Sequence, residues 1–191
     1  MKLEKNINES TIQSLMDLIN INNHFRKNIP SILSIIRIII APVFLISFIN
    51  SDIFLATTLF GFALITDVLD GYIARNYGLK SPIGAYLDVV ADFILIMLVF
   101  VAFTLKEIYP FWVLIIFIAM FSQFILTSRK KIIIYDPVGK YYGSFLFSVI
   151  LITLILDNGD LNYILLLLIV ILSVISFISR LFFIIRSNKR K

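Results

Sequence analysis

Cysteine is absent from the 191 residues, which excludes a disulfide framework, a thiolate metal site and a thiol nucleophile. Histidine occurs once, as His24 in a polar segment, and takes no ligand or catalytic role. Charged residues make up only 15% of the chain against 60% hydrophobic residues, whereas an ordinary soluble domain is about 45–50% apolar. That shortage of charge leaves no room for a sizeable water-soluble part. The net charge of +5 would suit a nucleic-acid partner, but the basic residues sit at the ends of apolar runs and form no separate basic domain, so no nucleic acid is expected. A signal-peptide pattern is missing too: the first long apolar run starts near Ser31 and lacks a small-residue cleavage site, so the chain is expected to be retained whole.

What remains is a succession of apolar runs. About 20 residues cross a hydrocarbon core roughly 30 Å thick, and six runs of suitable length follow one another, at 31–50, 53–75, 83–105, 108–128, 141–156 and 161–185. The sequence therefore predicts an all-α integral membrane domain over 30–186, after a polar N-terminal segment at 1–29 and before a basic tail at 187–191. Within 1–29, Ile12, Leu15, Met16, Leu18 and Ile19 face Glu9, Gln13, Asp17 and Asn20, a pattern compatible with a membrane-surface helix or with an unstructured tail. Pro82 suits the first turn of the third span, and Asn158-Gly159 marks a turn between the last two.

Lysine and arginine accumulate in cytoplasmic loops. Of the 17 here, all but Lys106 fall on or near one side, Arg37 among them. The opposite turns carry Asp52, Glu107, Asp157 and Asp160. The expectation is a multi-pass protein of the cell membrane with both termini cytoplasmic.

The second and third spans break the apolar pattern. They contain Asp67-Val-Leu-Asp70-Gly71-Tyr-Ile-Ala74-Arg75, eight further residues, then Gly84-Ala-Tyr-Leu-Asp88-Val-Val-Ala-Asp92. An acid at mid-bilayer costs about 2.5–3.5 kcal/mol on insertion scales, less near an interface, so four of them require compensation. Residues three and four apart share a helix face. Asp67, Asp70, Gly71 and Ala74 therefore form one stripe, with Arg75 about 12 Å beyond Asp67 toward the helix end, and Gly84, Asp88 and Asp92 form a second. A short connection makes these spans antiparallel neighbours, so the stripes are expected to share a polar cavity on the cytoplasmic side. Oxygen-only ligands favour hard cations, Mg²⁺ or Mn²⁺, which complete their shells with water and substrate phosphates. Two such ions clamping a diphosphate is a coherent chemistry for this stripe pair.

These residues resemble the signature of the CDP-alcohol phosphotransferase family: two Asp three apart, Gly, two residues, Ala-Arg, eight residues, Gly, three residues, Asp, three residues, Asp. Every fixed position is present between Asp67 and Asp92. Pro30-Ser31-Ile-Leu-Ser34-Ile-Ile-Arg37 also resembles the family's element before and within the first span, with Ser31 where Asn is common. The resemblance implies that Asp67, Asp70, Asp88 and Asp92 ligate metal and that Asp92 also activates the acceptor hydroxyl as a general base. It further implies that Asp67, Asp70, Gly71, Ala74, Arg75, Ser81 and Gly84 line the CDP site, and that the protein is a homodimer. The implied reaction moves a phosphoalcohol group, phosphatidyl or archaetidyl, from a CDP-linked lipid to an acceptor hydroxyl and releases CMP. Some members carry lysine directly after the last aspartate; this chain carries Phe93.

A cationic cluster at Arg129, Lys140 and Arg180 would suit a small alcohol acceptor that itself bears phosphate, such as glycerol 3-phosphate or inositol phosphate, although such charge also arises from topology alone. Two other classes use the same residues differently. A divalent-cation transporter would need the intramembrane acids but no nucleotide. A catalytically silent interaction protein would need neither the acids nor the small residues beside them.

Overall fold

The computed structural model describes residues 32–76, 82–128, 137–156 and 158–188. The amphipathic stretch within 1–29, Ser81 and Arg129 lie outside the described residues. Six helices, and no strand, occur among the described residues: α1 (Ile32–Ile49), α2 (Ile53–Asn76), α3 (Pro82–Leu105), α4 (Trp112–Ser128), α5 (Pro137–Leu156) and α6 (Gly159–Asn188). Three stretches are long and apolar enough to cross a membrane by themselves, Ile32–Ile49, Tyr86–Leu105 and Gly159–Ser179, and shorter apolar stretches lie at Ile53–Leu69, Trp112–Ile125 and Tyr141–Leu156.

The helices alternate in direction, as side-chain pairs between them show. Phe44 of α1 meets Phe60 of α2 edge-on at 6.2 Å, while farther along α1 Phe48 meets Phe103 near the end of α3 at 5.2 Å. Tyr142 early in α5 bonds Ser173 at the middle of α6. α5 packs on α6 and also against α2 and α3, and α4 packs on α3 and α6. The core is aliphatic and aromatic, with Phe44, Phe60, Leu95, Val99, Phe100, Phe103, Val113, Ile150 and Ile169 fully buried. The outer surface is apolar as well: Ile32, Ile35, Ile39, Val43 and Ile46 recur at helical spacing on the exposed face of α1. An exterior this apolar is matched to lipid, because contiguous exposed apolar surface is costly in water. Hydroxyls within the helices turn back onto their own backbone, as in Thr104 to Phe100 O (2.7 Å) and Ser173 to Ile169 O (2.6 Å), which satisfies them without solvent.

The turns explain where the helices differ from the apolar runs. α1 and α3 both end in paired bonds of Schellman type, Asp52 N to Ser47 O with Ser51 N to Phe48 O, and Ile108 N to Phe103 O with Glu107 N to Thr104 O. Ser51 and Glu107 take the left-handed position, with φ of 65° and 60°. The second of these turns, followed by Pro110, delays the start of α4 to Trp112 although hydropathy suggested 108. α5 begins earlier than its apolar run, at Pro137, since proline tolerates a first helical position. Asp52 caps α2 through Leu55 N (3.0 Å), and Asn158 caps α6 through the amides of Asp160 and Leu161.

Two substitutions check these turns. Glu107→Gly relieves a left-handed side-chain conformation and is expected to raise stability by about 1 kcal/mol. Asn158→Ala removes the α6 cap and is expected to lower it by about 1 kcal/mol. Equilibrium unfolding in mixed micelles measures both.

Candidate metal and phosphate site

Three of the acids converge. Asp67 of α2 and Asp88 and Asp92 of α3 each present one carboxylate oxygen, and these three atoms lie within 4.8 Å of one another. Helical spacing is the reason on α3, where four residues bring Asp88 and Asp92 onto one face. The two acids sit about 9 and 15 Å inside the start of α3 at 1.5 Å per residue. Gly84 stands one turn nearer that start. Asp70, Gly71, Ala74 and Arg75 continue α2 beyond Asp67 as helix. Asp67, Asp88 and Asp92 are the acids of this cluster whose side chains are described.

At their centre is Arg37, which sequence reading counts among the topology signals and at the end of the family-like element Pro30–Arg37, with no site role. Arg37 of α1 is completely buried, yet its guanidinium reaches all three carboxylates. Nη1 donates to Asp67 Oδ1 at 2.9 Å and also to Asp92 Oδ1, and Nη2 donates to Asp88 Oδ1. One turn earlier, Ser34 Oγ donates to Asp88 Oδ1 at 3.5 Å. The acids are less enclosed than the arginine, with side chains 31%, 36% and 25% exposed for Asp67, Asp88 and Asp92. The cluster is thus sealed on the α1 side and open on another. A signal for Arg37 did exist in the sequence. It interrupts the apolar run Ile35-Ile36-Arg37-Ile38-Ile39 well inside a span, and a charge there needs a partner of opposite sign.

Formally, three carboxylates and one guanidinium leave a charge of −2, the amount one divalent cation neutralises. The donors are all oxygen and partly exposed, and among the described residues no sulfur or nitrogen ligand joins them. The residues present therefore fit a hard divalent cation such as Mg²⁺ or Mn²⁺.

The acceptor candidates map less completely. Lys140 lies in the first turn of α5 and Arg180 in the last third of α6. Because the helices alternate, both backbone positions fall at the end of the bundle where α2 finishes and α3 starts, the end nearer the acids. Tyr142 ties α5 to α6 beside them, its hydroxyl 2.5 Å from Ser173 Oγ, and Gln123 Nε2 donates to Phe177 O at 3.3 Å to join α4 to α6. Phe93, directly after Asp92, stacks on Phe121 of α4 with ring centroids 3.7 Å apart.

The arrangement orders the stabilities of neutral variants. Arg37→Met leaves three carboxylates without their buried partner and is expected to cost about 3–5 kcal/mol, the range for breaking a buried ion pair. Single Asp→Asn changes at 67, 88 or 92 should each cost less, because two carboxylates still hold the guanidinium. Denaturant titration of the metal-free protein, followed by helix content, measures the order.

Comparison with known proteins identifies the family. The sequence model for CDP-alcohol phosphatidyltransferases matches residues 27–175. Among curated relatives, a CDP-diacylglycerol–glycerol-3-phosphate 3-phosphatidyltransferase of Haemophilus influenzae is 39% identical over 107 residues, which cover 54% of this chain and 57% of the relative. The Escherichia coli (strain K12) protein of the same name is 33% identical over 107 residues, 54% of this chain and 58% of the relative. A human cardiolipin synthase (CMP-forming) is 42% identical over 83 residues, 43% of this chain and 28% of the relative. The chain thus matches less than two thirds of the length of each of these relatives, whereas the family's own model extends over most of the chain. With that span and the converging acids together, this chain belongs to the CDP-alcohol phosphatidyltransferase family.

Proposed function

We propose that this chain is a six-span membrane phosphotransferase of phospholipid synthesis. In this reading it moves a phosphatidyl group, or its ether-linked counterpart, from a CDP-linked lipid to the hydroxyl of a small acceptor, with release of CMP. The observation that carries the reading is the convergence of Asp67, Asp88 and Asp92 on one point within a bundle whose exterior is apolar. The names of the relatives, which specify glycerol 3-phosphate for two and CMP formation for the third, support it. Both termini are assigned to the cytoplasm by the distribution of Lys and Arg, and the donor's soluble head is taken to enter from that side.

In this reading Asp67, Asp70, Asp88 and Asp92 hold two divalent cations, Mg²⁺ or Mn²⁺, which when bound neutralise the diphosphate and stabilise charge on the departing phosphate. Gly71, Ala74 and Gly84 leave space for the nucleotide, Ser81 lies beside it, and Arg75 pairs with its phosphates. Asp92 takes the proton from the acceptor hydroxyl. The acceptor oxygen then bonds to the phosphorus that carries the lipid alcohol. The bond from that phosphorus to the bridging oxygen breaks, and CMP leaves with that oxygen. Arg129, Lys140 and Arg180 are the proposed contacts for an acceptor phosphate, consistent with the positions of Lys140 and Arg180 at the end of the bundle nearer the acids. A homodimer is the proposed assembly.

The test is CMP release by purified protein in detergent with Mg²⁺, ester- or ether-linked CDP-lipid, and glycerol 3-phosphate, inositol 1-phosphate, inositol or serine as acceptor. Metal-dependent CMP with one acceptor, reduced at least 100-fold in Asp92→Asn as expected for loss of a general base, is the expected result. Folded, metal-binding protein that releases no CMP with any pair would refute the reading.

A further inference from the structure

The mechanism just described uses the acids and leaves Arg37 without a part. We propose that Arg37 is a resident counter-cation of the acidic cluster: it holds Asp67, Asp88 and Asp92 together in metal-free protein and opposes the binding of a divalent cation there. The inference rests on the reading of these acids as metal ligands.

Three features of the site lead to it. The guanidinium is fully buried and anchored from α1, the helix that also inserts Phe44 and Phe48 into the core, so its charge is fixed beside the acids. It bonds carboxylates from both α2 and α3, so a single cation joins three helices at the point where their charges would otherwise repel. Each carboxylate has about four acceptor positions, so metal and guanidinium do not compete for the last lone pair. They compete electrostatically: a unit positive charge a few ångströms from a dication in a poorly screened site lowers its affinity. A guanidinium remains charged at any accessible pH, which makes this opposition constant.

The consequence is a division of labour. Arg37 makes the fold independent of metal, so the helices associate before any ion binds, and it lowers metal affinity so that tight occupancy awaits the added negative charge of a diphosphate. Arg37 is accordingly a positioning residue, acting through the acids. Neutralising it would make metal binding tighter and folding more dependent on metal. A purely architectural arginine gives the opposite sign, because its loss would splay the acids and weaken binding.

The experiment titrates metal-stripped full-length protein in detergent with Mn²⁺, reading free Mn²⁺ by electron paramagnetic resonance and thermal unfolding in parallel. Arg37→Gln, which removes the charge and keeps a polar end, is expected to bind Mn²⁺ at least tenfold more tightly than wild type, with a lower metal-free Tm and a larger rise on adding Mn²⁺. Arg37→Lys keeps the unit charge while losing the fork, and is expected to bind within about threefold of wild type and less tightly than Arg37→Gln. Should Arg37→Gln fail to fold, the lysine variant decides the question alone, with binding weakened more than about tenfold as the contrary result. Affinity equal to or weaker than wild type in folded Arg37→Gln would overturn the inference while leaving the proposed function standing. Absence of Mn²⁺ binding by wild type and by both variants, with CDP-linked lipid present as well as without it, would overturn both.

Discussion

One guanidinium facing three carboxylates is the constraint around which this bundle is arranged. Acids this far inside apolar helices are stable only when compensated, and the protein supplies that compensation from a third helix. Arg37 fixes the depth of α1 against α2 and α3. The aromatic contacts farther along α1, Phe44 with Phe60 and Phe48 with Phe103, then lie in register with it. The polar end and the apolar end of the α1–α2–α3 unit set the same alignment, one by charge and the other by ring packing.

The remaining helices form a frame for that unit. α5 packs on α2, α3 and α6, while α4 supports α3 and α6. Tyr109, in the connection between α3 and α4, shares a 2.8 Å hydrogen bond with Thr153 of α5 at the end of the bundle remote from the acids. Among the described residues, the polar contacts that join α4, α5 and α6, Tyr142 with Ser173 and Gln123 with Phe177 O, carry no formal charge. Charge in the described interior is confined to the Arg37 cluster, where a hard cation and a phosphate would find it.

Much of this was legible in the sequence because local spacing encodes it. A spacing of four residues placed Asp88 beside Asp92 on one helix face, as the structure has them, and apolar run length located the helices to within a few residues. Boundaries departed where turn chemistry overrode hydropathy, as at Glu107 and Pro110 before α4 and at Pro137 before α5. The contacts of Arg37 with the acids were not legible for a different reason. Its partners lie 30, 51 and 55 residues away, so no local periodicity connects them, and a single arginine among 17 basic residues also fits a topology signal. Phe93 illustrates the limit of motif reading in another way: directly after Asp92, it stacks on Phe121 and contributes packing, which no motif spacing indicates.

The central claim is that the acids hold a divalent ion whose shell is completed by the diphosphate of a CDP-linked lipid. Electron–nuclear double resonance on Mn²⁺-loaded protein tests it most directly, by reading phosphorus-31 coupling to the bound ion. The account predicts a strong coupling that appears when CDP-linked lipid is added and is lost in Asp88→Asn. Bound Mn²⁺ that shows no phosphorus coupling at saturating CDP-lipid would contradict it.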